Sequence, residues 1–101
     1  MKVVLTSAAA ADLEEAFAYI SSERAEAAGE LLGRIRQAFE QLREFPLLGA
    51  PFGSAEDDPV EPGVRFVIVG AYLVFYRVLE DIVVILRILH ARRDSLGMLF
   101  E

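Results

Sequence analysis

The sequence predicts an α+β domain in the order β-α-α-β-β-β, a helical hairpin packed on a small antiparallel sheet. Three observations predict it. Two stretches with the 3.6-residue apolar period of a helix face fill the first half of the chain. A loop over residues 46–63 follows, carrying Pro46, Gly49, Pro51, Gly53, Pro59, Pro62 and Gly63. Three apolar runs separated by turn-length gaps then complete the chain. Successive helices followed by successive strands place the helices on one face of the sheet. The 101 residues fit a single domain over 1–101. A chain of this size buries roughly two thirds of its unfolded surface, enough for one core without staples.

Each element has a local reason. Lys2–Thr6 is a short strand rich in Val and Leu. Thr6 or Ser7 is a candidate helix cap, since a hydroxyl there accepts a free backbone N–H. The helix over Ala8–Ile20 shows Leu13, Ala16, Phe17 and Ile20 on one face, with Asp12, Glu14 and Glu15 off that stripe. Ser21-Ser22 breaks the pattern and can cap a second helix, which runs from about Glu23 to Arg43. Its stripe is Ala28, Leu31, Leu32, Ile35, Phe39 and Leu42. Gly29 and Gly33 inside it cost up to ~1 kcal/mol each relative to Ala, so tertiary packing must hold the helix, and small residues there allow a neighbour to approach closely. Pro46 ends it by pushing the preceding residue out of the helical region. The strands are Val64–Val69, Tyr72–Leu79 and Ile82–His90. Gly70-Ala71 suits a two-residue hairpin turn with glycine first, whereas Glu80-Asp81 has no glycine to supply a positive φ.

Composition excludes several classes. Without cysteine there are no disulfides and no thiolate metal sites, a usage suited to a cytoplasmic protein. Met1–Thr6 is too short and too soon polar for a signal peptide, and the longest uncharged run, Phe66–Tyr76, is well short of the ~20 residues of a membrane helix. A soluble chain is expected. The net charge of −6 opposes tight binding to a phosphate backbone. The charge is uneven: residues 1–61 hold twelve acids and five bases, residues 62–101 four acids and five bases. The C-terminal part therefore suits an acidic partner better than the N-terminal part does. The acidic tip Glu56-Asp57-Asp58 is expected to be a solvated turn, with too few ligands at defined spacing for a cation.

Catalytic machinery is sparse. The single His90 ends a strand, and a triad would need Ser7, Ser21, Ser22, Ser54 or Ser95 to meet it with no nucleophile-elbow motif around any of them. Zinc would have one His and scattered carboxylates. No phosphate-binding glycine motif occurs, and no cofactor is expected. The arginines stand out instead. Arg65, Arg77 and Arg87 interrupt apolar strands, and an arginine is costly to bury unpaired, so each must reach solvent, a carboxylate or a partner. A two-residue turn at Glu80-Asp81 sets Arg77 opposite Val84 and Val74 opposite Arg87, with the two arginines on opposite faces; a three-residue turn sets them on the same face. Arg92-Arg93-Asp94 is either a turn with an internal ion pair or a functional basic corner.

The chain resembles the ParE branch of the RelE/ParE toxin superfamily, the toxins of type II toxin–antitoxin pairs. The resemblance runs through Ala11-Asp12-Leu13 with Tyr19-Ile20, Pro46-x-x-Gly49, Val64-Arg65 and Tyr72-Leu-Val-Phe-Tyr-Arg-Val78. Its most specific part is Ile85-Leu-Arg-Ile-Leu-His-Ala-Arg-Arg-Asp94. It implies a helical hairpin on a small antiparallel sheet, in agreement with the order above.

The resemblance also implies a division of function. RelE-like members cut messenger RNA on the ribosome with arginine, lysine and often a C-terminal tyrosine; ParE-like members inhibit DNA gyrase without that set. Aligned on Leu73-Val74-Phe75, the strand position where RelE-like toxins often carry an arginine is Tyr72, and no tyrosine follows Arg93. RNA cleavage needs stabilisation of a pentacoordinate phosphate and proton transfer at two oxygens, more than one lone arginine supplies. The expectation is a toxin that binds gyrase and plasmid-stabilising growth arrest that a cognate antitoxin relieves in an oligomeric complex. The antitoxin would supply any nucleic-acid contact, and no membrane is involved. Arg65, Tyr72, Arg77, Arg87, Arg92 and Arg93 are the candidate partner-binding residues. The alternatives are an endoribonuclease using Arg92 and Arg65, and a decayed, non-toxic interaction module.

Overall fold

The computed structural model describes residues 1–52 and 63–94. The acidic tip, Ser54, Ser95 and the tail after Asp94 lie outside the described residues. The elements are β1 (Lys2–Leu5), α1 (Ser7–Glu23), α2 (Ala25–Glu44), β2 (Ala50–Pro51), β3 (Val64–Val69), β4 (Tyr72–Leu79) and β5 (Ile82–His90). The sheet order is β1-β5-β4-β3-β2, with β1 parallel to β5 and the other pairs antiparallel. The α+β class and the meander are as expected. The addition is β2, a two-residue strand inside the expected loop, which adds an edge to β3.

The core lies between the helices and one sheet face. Ala9 and Ala16 of α1 and Leu31, Ile35, Ala38 and Leu42 of α2 pack on Tyr72, Val74 and Tyr76 of β4 and Val83, Ile85 and Ile88 of β5. Alternation sends Leu73 and Phe75 to the other face. There Val64, Phe75 and Leu89 form a second buried cluster with Phe52, Phe66, Leu73 and Leu86 packed against it. Phe52 meets Phe75 edge-on, ring centroids 5.0 Å apart, and meets Phe66 likewise at 6.2 Å. The far side of the sheet is thus partly covered by an aromatic group anchored in β2's continuation, while Ile68 on the same face stays 69% exposed. Among the described residues, no helix is long and apolar enough to cross a membrane.

Several local details differ from expectation. Ser21-Ser22 stays inside α1, because Ser22 Oγ donates to the Tyr19 carbonyl at 2.7 Å instead of capping the next helix. The break is one residue, Arg24, whose extended backbone (φ −151°) is shared by both helix ends. A Cβ on Gly29 or Gly33 would meet no atom within 4 Å, so neither glycine serves a close approach. Gly70 has φ 60° at the first turn position, as expected. The second turn also has two residues, and Glu80 takes the left-handed conformation (φ 55°) that glycine would adopt more readily.

The turn after α2 is tied down from beneath. The buried Tyr76 hydroxyl donates to Pro46 O and accepts from Gly49 N, both at 2.8 Å, and Arg65 donates to Gly49 O at 2.7 Å. Burial raises the Tyr76 phenol above its ordinary 10.0, against the opposing pull of the Gly49 hydrogen bond and the Arg65 charge. The folded state therefore holds that proton more tightly than the unfolded chain. Its contribution is complete below pH ~10 and is lost as pH rises through the folded value. Denaturant titrations from about pH 10 upward are expected to show stability falling with pH, and the Tyr76→Phe variant a shallower fall.

Candidate functional site

The N-terminus of α1 meets β5 where β1 stops. β5 carries a bulge at this point: Tyr76 pairs with Ile85 and Phe75 with Arg87, leaving Leu86 the extra residue. The bulge would orphan backbone groups at the sheet edge, and α1 satisfies them. Thr6, the helix cap, accepts from Ala9 N at 3.0 Å and donates its hydroxyl hydrogen to Leu86 O at 2.9 Å. Asp12 Oδ2 accepts from Ile88 N at 2.9 Å. The same carboxylate takes two hydrogen bonds from Arg87, Nε to Oδ2 at 2.7 Å and Nη2 to Oδ1 at 3.0 Å. The pair is largely covered, with side chains 18% and 10% exposed. This hydrogen bonding to Asp12, ahead of a smaller opposing desolvation, raises the Arg87 pKa above its ordinary value.

Next to it the chain leaves β5 through a tight turn. Asp94 Oδ2 accepts from His90 N at 2.7 Å, and Asp94 N returns a bond to His90 O at 3.1 Å. The His90 Nδ1 accepts from the backbone N–H groups of Arg92 and Arg93, at 3.1 and 2.9 Å. Its ring stands edge-on to Tyr72 at 5.2 Å. His90 therefore shapes the turn that displays the two arginines. Arg93 lies 4.2 Å above the Tyr19 ring, donates to the Tyr72 hydroxyl at 3.5 Å and approaches Asp94 at 3.8 Å. Arg92 is exposed. Asp12, Glu15, Tyr72, Arg87, Arg93 and Asp94 border a polar notch of about 50 Å³, room for a water or two.

Of the six candidate residues, four converge on this corner: Tyr72, Arg87, Arg92 and Arg93. Tyr72 is buried and positions Arg93 rather than offering a surface of its own. Arg65 lies opposite Tyr76 and holds the turn after α2 through the carbonyls of Leu47 and Gly49. Arg77 pairs with Val64 and Val84 on the far face, while Arg87 reaches α1 on the helix side. The two-residue turn was one of the two open alternatives, but the bulge moves Arg87 from Val74 to Phe75. Asp12 is the residue that periodicity misplaces. It sits off the apolar stripe because its partner is a sheet edge and a guanidinium, not solvent. The signal for it is its place in Ala11-Asp12-Leu13.

A helical hairpin thus packs on a small sheet, with a basic corner at the end of the last strand. Residues 3–95 match the family described as the ParE toxin of the type II toxin–antitoxin system parDE, and the chain belongs to that family. It is similar to a solved structure titled "Chromosomal ParDE TA system from P. aeruginosa", at 25% identity and a TM-score of 0.73, covering 91% of this chain and 97% of that one. No curated protein gives a significant match. The protein is a ParE-type toxin of a type II toxin–antitoxin system.

Proposed function

We propose that this toxin arrests growth by binding DNA gyrase in the cytoplasm, and that a cognate antitoxin silences it by direct contact. The observation that carries the reading is the state of the arginines. Asp12 engages Arg87, Tyr19 and Tyr72 engage Arg93, and backbone carbonyls engage Arg65. Arg65 and Arg92, the pair a nuclease would use, sit in different places: Arg65 pairs with Tyr76, and Arg92 follows His90, the partner of Tyr72. Arg92 and Arg93 are both exposed, but Arg93 is engaged by Tyr19 and Tyr72, so a phosphate would compete with those contacts, whereas a protein surface can use Arg92, the stacked edge of Arg93 and their surroundings together. The net charge of −6 favours a protein contact over a nucleic-acid contact in the same way.

The antitoxin is expected to fold on binding, laying an apolar segment on the toxin and adding main-chain pairing at a sheet edge. The apolar groove of about 300 Å³ between α1 and α2, lined by Leu13, Phe17 and Leu32, suits its anchors. Purified toxin should lower the supercoiling rate of gyrase, and the Arg92→Ala, Arg93→Ala double variant should be about tenfold weaker, the size expected for losing charged anchors at an interface. Unimpaired gyrase together with codon-specific messenger cleavage on ribosomes would assign the protein to the nuclease branch instead.

A further inference from the structure

One ring atom closes the turn that displays the two corner arginines. His90 Nδ1 accepts from the backbone N–H groups of Arg92 and Arg93, at 3.1 and 2.9 Å. A ring nitrogen that accepts carries no hydrogen, so the neutral imidazole keeps its proton on Nε2. A second proton can enter only at Nδ1. It turns the acceptor into a donor, and both N–H groups lose their partner at once. The ring is partly exposed, so water can deliver that proton.

We infer that His90 is a proton-operated latch on the basic corner: a proton at Nδ1 releases Arg92 and Arg93 from the turn, and Arg93 from Tyr19 and Tyr72. Imidazole is the side chain that ordinarily changes charge between pH 5 and 8. The closed turn needs the unprotonated ring and so binds one proton fewer than the open turn. Linkage sets the sign: closure is complete at the top of that range and is lost as pH falls through it. The release is local. Ala91 N still donates to Ala71 O, Asp94 N to His90 O, and His90 N to Asp94 Oδ2, so both ends of the turn stay anchored while the two arginines loosen.

The charges around the ring nearly cancel. The turn supplies Arg92, Arg93 and Asp94, and the adjoining notch brings Arg87 of β5 with Asp12 and Glu15 of α1. Arg34 of α2 stands over Gly70 in the neighbouring turn. Tyr72, edge-on to the ring, and Tyr19 are phenols, which are neutral in this range. With guanidiniums and carboxylates almost matched, the two hydrogen bonds to Nδ1 carry the coupling between proton and turn. A fixed pair of arginines costs a docking partner less ordering entropy than a loosened pair. That consequence rests on the reading of this corner as the toxin's contact surface; the latch itself does not.

The test is an NMR titration of the isotope-labelled wild type from pH 8 to pH 5. Hydrogen-exchange protection of the Arg92 and Arg93 amides, corrected for the intrinsic rate at each pH, should fall about fivefold or more with the imidazole titration, the scale of one lost hydrogen bond. The Arg93–Tyr19 cross-peaks should weaken over the same range. His90→Asn supplies an acceptor that does not titrate, and its corner should stay closed throughout. Protection and cross-peaks that hold steady while the wild-type imidazole titrates overturn the latch. A His90→Asn corner that opens with the wild-type midpoint also overturns it, because another group is then the sensor. In gyrase inhibition, the potency of His90→Asn relative to wild type should be near one at pH 8 and about threefold at pH 6. A ratio near one at both pH values overturns the consequence for binding. A wild type inactive against gyrase overturns the target reading, and the NMR titration still decides the latch.

Discussion

Asp12→Ala is expected to destabilise the protein by about 3 kcal/mol, the cost of removing one member of a largely covered ion pair. The substitution does two things at once. It leaves the Arg87 guanidinium, 18% exposed, without its carboxylate. It also leaves Ile88 N–H at an edge that β1 does not reach. For a domain of this size that loss lowers the melting midpoint by about 15 °C. Asp12→Asn should fall between, because the amide oxygen can still accept from Ile88 while the charge is gone. Urea denaturation of Asp12→Ala, Arg87→Ala and the double variant measures the coupling. If the two single losses simply add, the pair is not the link between α1 and β5 that its geometry indicates.

The second large effect is expected at Gly49. A Cβ there would stand 2.7 Å from Phe66 O, Tyr76 Cε1 and the Tyr76 hydroxyl. None of these can move aside cheaply: one is sheet backbone, and Tyr76 is fully buried. The turn must shift, stretching the hydrogen bonds to Tyr76 and Arg65. Overpacking plus weakened buried bonds costs about 2–4 kcal/mol. Adding Tyr76→Phe to Gly49→Ala should relieve only part of it, since the ring carbon and Phe66 O remain. A Gly49→Ala protein with wild-type stability in chemical denaturation would show that the turn is looser than its bonds imply.

These two positions show what was legible in the chain and what was not. The helices were legible because their apolar period matches the helix pitch, and β3, β4 and β5 because turn residues frame them. The α1 cap was legible because Thr6 precedes the first helical turn. β2 was not, since two residues carry no period. Neither was the bulge at Leu86, which leaves the sequence of β5 an ordinary apolar run. Gly49 stood out as part of Pro46-x-x-Gly49 but without a cause; the cause is Tyr76, 27 residues away.

The sequence by itself determined the α+β class, the order of every element but β2, and the family, because these follow from local period, punctuation and a near-continuous closing motif. It also marked the arginines as the residues needing an explanation. Only the tertiary structure decided which arginines are spoken for. A guanidinium at a bulge meets Asp12 because β1 ends early and α1 begins there, and Arg93 meets Tyr19 because α1 crosses the end of β5. Such pairings depend on where distant segments come to lie, and no spacing along the chain encodes that directly.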